Sequence, residues 1–317
     1  MTAVPVLLPV ESPSVWMPNE FPDDAMWSFE LSDQDRQALV DYGRGGPSAD
    51  LGHQFGAAAT RWSALLNEGP GFLRLRGFPV DSVSDHELER AYIGLGKLFG
   101  EPVRQDRDDN LITHIRDERT QAVVGRRYQT NLHQDFHSDS SDLVGLLCLR
   151  PAKRGGKSKI VSAHAVYNEM LRRDRHLVEV MYTPMPWSRN AERRPGVSPY
   201  FELAPITDIA GVPRIFFIAW YIRQSQAHAE APRLTNDQQA ALVLMESIAN
   251  DPAFQIEMEF QPGDVQLLNN TTMLHAREAY VDHADPRLRR HLLRLWLSIE
   301  TPLANGASLP TTNTTVR

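Results

Sequence analysis

One cysteine in 317 residues, Cys148, cannot build an internal disulfide framework, so the chain is not a small cross-linked fold. Long apolar runs are missing as well. The stretch Ala3 to Val10 is broken by Pro5 and Pro9 and lacks a basic start, so it reads as neither signal peptide nor anchor. Nothing elsewhere approaches the ~20 apolar residues of a membrane span. Positive charge is not in excess: 33 Lys and Arg face 40 Asp and Glu, a net charge of −7, which is a poor start for gripping nucleic-acid phosphates. No repeat of about 20–50 residues is visible, which excludes a solenoid or propeller. The expectation is a soluble, cytoplasmic protein acting on neither membrane nor nucleic acid. With 42% hydrophobic and 23% charged residues, composition is otherwise silent, and the eleven histidines are the place to look.

The first 35 residues are proline-rich and irregular. Helical periodicity runs from Ser48 to Leu66, through Phe55, Trp62 and Leu66, and Gly71–Gly77 reads as a strand between glycines. Ser84 and Glu87 form a capping-box signature for a helix carrying Leu88, Tyr92 and Phe99. Arg104 to Arg127 is charged and aperiodic, as a loop or flap would be. Leu143–Arg150 is a short apolar strand stopped by Pro151 and the Gly155-Gly156 pair, and a helix fits Ala163–Arg173. Strands are expected at Tyr200–Ile206 and Arg214–Ile218. Thr235 caps a helix, Phe254 to Phe260 alternates, and Val265–Leu268 and His291–Ile299 complete the strands. From Thr301 the tail is polar and reads as disordered. Helices first, then many short strands with one inserted helix, argue for a mainly β fold with flanking helices, a sandwich or jelly roll. No linker divides the chain, so 1–317 is expected to be one domain, with its β core at about 70–300.

The segment Leu132–Asp142 (LHQDFHSDSSD) holds two overlapping His-x-Asp pairs, His133/Asp135 and His137/Asp139. Residues two apart in a strand share a face, so either pair could offer an imidazole and a carboxylate to one metal. A tripeptide alone is a weak signal, and a hydrogen-bonded surface pair is the bland alternative. A third donor, His275, follows a Pro-Gly-Asp turn and a strand, and Arg290 lies fifteen residues beyond it. Two histidines and one carboxylate make a facial triad that holds non-haem Fe(II) and leaves three positions open. An arginine on a nearby strand can take a carboxylate through its planar fork.

Three stretches carry a resemblance: Phe136–Ser158 (FHSDSSDLVGLLCLRPAKRGGKS), Gln261–Tyr280 (QPGDVQLLNNTTMLHAREAY) and Arg289–Ser298 (RRHLLRLWLS). In order and spacing the chain resembles the Fe(II)/2-oxoglutarate-dependent dioxygenases of the TauD/TfdA, or clavaminate synthase-like, type over about residues 70–300. The resemblance implies a double-stranded β-helix (jelly roll, cupin-like) core. It implies that His137, Asp139 and His275 bind Fe(II), since the family's pair directly precedes a polar segment and an apolar strand ending near Gly-Gly. His133 and Asp135 then read as a hydrogen-bonded pair at the mouth of the barrel, with substrate contact as the alternative. Arg290 with Ser158 would hold the distal carboxylate of 2-oxoglutarate. Arg294, on the same strand face, would meet the oxoglutarate or an anionic group of the substrate.

Asn269 and Asn270 could orient the ligands, or simply satisfy backbone at a strand end. Trp220 and Arg223 could line a substrate pocket, although core packing is the default for aromatics, and Cys148 reads as a buried packing residue. The resemblance further implies that 2-oxoglutarate is decarboxylated to succinate and CO2 with O2, coupled to oxidation of a small organic substrate. Hydroxylation of an amino-acid-like or carboxylate compound is the leading outcome, and desaturation, cyclisation or epimerisation would use the same triad. Asp139 fills the position a halide would need, which argues against a halogenase. A non-catalytic cupin-like barrel is the alternative from another class, and it leaves Arg290 and Ser158 without a purpose. A homo-oligomer stays open.

Overall fold

The computed structural model describes residues 6–46, 50–106, 108–118, 129–189 and 196–299. The tail expected from Thr301 lies outside them, as do residues 119–127 of the expected flap. The N-terminal part, after two 3-10 turns, holds β1 (Ser28–Glu30), α1 (Asp33–Gly43), α2 (Leu51–Asn67), β2 (Phe72–Arg76), α3 (Asp85–Gly96), β3 (Glu101–Pro102) and β4 (Ile112–Ile115). The middle runs β5 (Gln134–His137), β6 (Leu143–Arg150), β7 (Arg154–Gly155), β8 (Ser158–Ser162), α4 (Ala163–Arg173), α5 (Arg175–Met181) and β9 (Met185–Ser188). Then come β10 (Tyr200–Leu203), β11 (Ile206–Ile209), β12 (Val212–Ile215), α6 (Ala219–Ser225) and α7 (Asn236–Ala249). The chain closes with β13 (Ile256–Met258), β14 (Val265–Asn269), β15 (Met273–Arg277), β16 (Tyr280–Val281) and β17 (His291–Ser298).

Helix starts follow local chemistry. Ser32 with Asp35, Ser84 with Glu87 and Thr235 with Gln238 form reciprocal capping boxes, while Asp50, Ser162 and Asp174 accept from the first-turn amides of α2, α4 and α5. Each such cap stabilises its helix by about 1 kcal/mol.

Two sheets face one another. The larger has the order β1-β2-β14-β6-β17-β3, with β4 also on β17; the smaller has the order β13-β8-β15-β5. Apart from the parallel β1–β2 pair, neighbours in both are antiparallel. The outer face of the larger sheet (Leu147, Leu267, Leu293, Leu295) is covered by Leu39, Phe55, Trp62 and Tyr92 of α1–α3. The outer face of the smaller sheet (Val161, Leu274, Ala276) is covered by Tyr167, Met170, Leu242 and Met245 of α4 and α7. Between the sheets lie Phe72, Val144, Cys148, Ile160, Met273 and Leu292. Strands buried on both faces read as continuous apolar runs, as LVGLLCLR does. Polar residues that interrupt such strands therefore point into the space between the sheets, and the site is built from them.

Four readings need correction. The region after β8 holds, besides the two expected helices α4 and α7, the short helices α5 and α6, so the single inserted helix of the fold reading becomes four. Residues 112–115 of the expected flap form β4, which pairs with β17 because Ile112 and Ile115 each find a core on opposite faces. The Tyr200–Ile206 strand is two strands, with the hairpin β11–β12 closing across Gly211 at φ 81°. The strand expected to Ile218 stops at Ile215, and the aromatic run beyond it turns into α6.

Candidate metal centre

The triad is assembled by strand register. His137 ends β5 and His275 sits in the middle of β15, and the two are direct cross-strand partners. Opposed residues of an antiparallel pair share a face, so both imidazoles enter the space between the sheets, with ring centroids 4.2 Å apart. Asp139 lies just past the end of β5. Its amide donates to Asn270 Oδ1 (3.2 Å), and Asn270 Nδ2 donates to the carbonyl and hydroxyl oxygens of Ser141 (3.1 Å each). The turn after β14 thereby fixes the carboxylate opposite the histidines.

His137, Asp139 and His275 are all buried, and each offers one ligand atom within 4.8 Å of the other two. Nε2 of His137 is 4.0 Å from Asp139 Oδ1, and Nε2 of His275 is 3.9 Å from Asp139 Oδ2. Burial holds both histidines below their ordinary pKa, that of His275 at about 3, so both are neutral ligands near pH 7. Burial pushes the Asp139 carboxyl up, but the Arg294 guanidinium, His275, His137 and Trp296 together outweigh it, so the carboxyl is held below its ordinary pKa and stays ionised. His137 Nδ1 lies 2.9 Å from the Asp135 carbonyl, which fixes the proton there and leaves Nε2 its lone pair. Asp139 Oδ1 accepts from Arg294 Nη1 (3.1 Å), whereas Oδ2 is buried with no hydrogen-bond partner. Two neutral imidazoles and a carboxylate with a spare buried oxygen fit a divalent first-row metal ion.

A second set of polar residues is also buried. Arg290 directly precedes β17, is 4% exposed, and packs its guanidinium over the Tyr280 ring at 5.1 Å. Its Nη1 is buried without a partner. Gly156 makes room for it: a Cβ there would sit 3.3 Å from Arg290 Nε, and φ is 78°. Ser158, opposite Arg277 in register, donates its hydroxyl to Gln266 Oε1 (3.0 Å).

The remaining candidates fall in distinct places. Arg294 shares the inner face of β17; besides Asp139 it reaches Gln105 Oε1 through Nε (2.8 Å) and overlies the Trp296 ring at 4.4 Å. Asn269 turns away from the triad, donating to the Leu66 carbonyl (3.1 Å) and accepting from Thr271. Trp220 packs edge-on against His137 at 4.9 Å. Arg223 forms a bidentate pair with Glu246 (2.6 Å each), and His133 Nε2 lies 3.5 Å from Asp135 Oδ1, both partly exposed. A separate cleft of about 490 Å³ opens beside β4, lined by Glu89, Ile93, His114 and Arg116, and includes none of the triad. Sequence reasoning missed Gln105, Gln134 and Arg277. Gln134 Nε2 is 3.0 Å from His137 Nε2. Only Arg277 had a legible signal, standing two residues after His275 on the same strand face.

The family profile described as taurine catabolism dioxygenase TauD, TfdA family matches residues 40–296. A curated relative, FR-33289 synthase of Streptomyces rubellomurinus, is 29% identical over 98% of this chain and 95% of its own length. Asparagine oxygenase, solved with Fe(II), 2S,3S-3-hydroxyasparagine and succinate, superimposes with a TM-score of 0.67 at 16% identity, covering 86% of this chain and 94% of that one. The non-haem iron oxygenase OrfP, solved with Fe, succinate and (3R,4R)-dihydroxy-L-Arg, gives 0.65 at 14% identity with the same coverage.

Proposed function

The chain belongs to the TauD/TfdA family of dioxygenases, and from that membership we propose that His137, Asp139 and His275 hold its Fe(II) and that it hydroxylates a small amino-acid-like or carboxylate substrate. It is a non-haem iron enzyme whose cosubstrates are 2-oxoglutarate and O2. The observation that carries the assignment is the convergence of three buried donors within 4.8 Å. When bound, the iron supplies the oxidising power, drawn from O2 and the decarboxylation of 2-oxoglutarate to succinate.

The protein's part is geometry and charge. Arg290 and Ser158 are assigned to the distal carboxylate of 2-oxoglutarate, supported by the burial of both and by the unpartnered Arg290 Nη1. Arg294, itself held by Gln105, keeps Asp139 Oδ1 occupied, so that Oδ2 is the oxygen available to the metal. Asn270 fixes the Asp139 backbone, and Trp220 limits the swing of the His137 ring. His133, Asp135 and Arg223 are partly exposed, and a substrate contact is assigned to them only as part of this reading. The whole chain is read as one oxygenase domain. No helix among the described residues is long and apolar enough to cross a membrane.

The amino-acid-like substrate class is supported by the products bound in the two structural neighbours, hydroxyasparagine and dihydroxyarginine. It is tested by screening amino acids and small carboxylates for stimulated succinate release, with mass analysis of the product. At least one should raise the rate well above uncoupled turnover and gain one oxygen atom. Succinate release unmoved by every amino acid and carboxylate, from protein that binds iron and 2-oxoglutarate, would refute the class.

A further inference from the structure

Arg277 is not used by the cosubstrate clamp described above. It is 6% exposed, points inward two residues after His275, and faces Ser158 across the β15–β8 pair. Its Nη2 donates to the carbonyls of Thr130 (2.8 Å) and Leu132 (2.6 Å), while Nε and Nη1 are buried with no hydrogen-bond partner. Its Cζ lies 5.1 Å from the centre of the Tyr280 ring, the same distance as Arg290 Cζ. Arg290 Nη1 and the Tyr280 hydroxyl are also buried and make no hydrogen bond of good geometry, although Tyr280 and Asp282 lie close enough to act on the Arg290 charge. Among the described residues no carboxylate forms an ion pair with either guanidinium.

Buried charges are normally paired, and buried donors normally satisfied. Here two cations share one tyrosine ring, and burial together with the neighbouring Arg290 draws the Arg277 pKa down to about 10, still charged at neutral pH. Sequence periodicity gives no structural purpose for a second arginine at this depth. The group that would satisfy both is an oxyanion, and a carboxylate has about four lone-pair sites to offer.

We propose that Arg277 is a second cationic anchor for the distal carboxylate of 2-oxoglutarate, shared with Arg290. The proposal rests on the cosubstrate reading given above and adds a residue to it. Because Nη2 already holds Thr130 and Leu132, the same side chain ties the cosubstrate to the segment that leads into β5 and His137.

The test compares two ketoacids of equal length, 2-oxoglutarate and 2-oxopentanoate, which lacks the distal carboxylate. Each is titrated anaerobically into Fe(II)-loaded wild type, Arg277→Gln and Arg277→Lys, and the Kd is read from the visible metal-to-ligand band. Arg277→Gln is expected to weaken 2-oxoglutarate by about 10-fold or more, the range for a hydrogen-bonded charge, and to leave 2-oxopentanoate within about twofold. Arg277→Lys should fall between wild type and Gln for 2-oxoglutarate alone, and it carries the comparison if the Gln variant does not fold. Equal weakening of both ketoacids would assign Arg277 a purely structural role and overturn the proposal, as would an unchanged Kd for 2-oxoglutarate. Wild type that binds no 2-oxoglutarate would refute the cosubstrate reading itself, a result distinct from either.

Discussion

Replacing Arg294 by Met should cost the metal-free protein far more than the metal-loaded one. The Arg294 and Asp139 side chains are 8% and 7% exposed and 3.1 Å apart, so the substitution strands a buried carboxylate. Breaking a buried pair in this way costs about 3–5 kcal/mol. For a chain of this length the unfolding entropy is roughly 0.6 kcal/mol per degree, which converts the loss to a fall of about 5–8 °C in Tm. A bound divalent ion restores positive charge beside Asp139, so the gap between wild type and variant should narrow. Calorimetry in EDTA and in excess Co(II) measures both gaps. An equal fall in the two conditions would mean that Asp139 does not face the metal, and no fall in EDTA would mean that the ion pair contributes nothing.

Asn270→Ala removes the acceptor of the Asp139 amide and the donor to Ser141, so metal affinity should drop about 10- to 100-fold. Asn269→Ala, whose bonds run to Leu66 and Thr271, should lower stability and leave metal affinity unchanged; paired metal titrations separate the two. His291 supplies a pH prediction remote from the metal. Burial, with His114 and Arg150 beside it, presses its pKa to about 3, against 6.5 in the unfolded chain. Below pH 6.5 the unfolded chain takes a proton that the folded one refuses, so this contribution is complete above 6.5 and declines towards pH 3. The slope is at most about 1.4 kcal/mol per pH unit. Urea titrations of wild type and His291→Asn at pH 7 and 5 should show a smaller drop in the variant, and parallel curves would remove His291 from the account.

Much of the site could be read from the chain because strands buried on both faces make polar residues conspicuous. In LVGLLCLR and HLLRLWLS the apolar background left Arg294 standing out, and the order of His-x-Asp, Gly-Gly and the distal His carried the family resemblance. What single positions could not supply was register. That His137 opposes His275 follows from the β5–β15 pairing, and the Gln105–Arg294 contact joins residues 189 apart in sequence. Only the fold separates Asn270, which holds Asp139, from its neighbour Asn269, which does not. Local pattern also misled where tertiary packing decided the conformation. The aromatic run from Phe216 to Tyr221 has strand composition, yet after Ile218 it coils into α6, where Trp220 reaches His137. The tetrapeptide of β4 was masked by the charged residues on either side of it.

The central claim is that His137, Asp139 and His275 hold an iron that 2-oxoglutarate chelates. The anaerobic visible spectrum of the protein with Fe(II) and 2-oxoglutarate tests it most directly. Wild type should develop a weak charge-transfer band that is lost in His275→Ala, with the folded state of the variant checked by circular dichroism. A band of undiminished strength in folded His275→Ala, or none in wild type, would contradict the assignment.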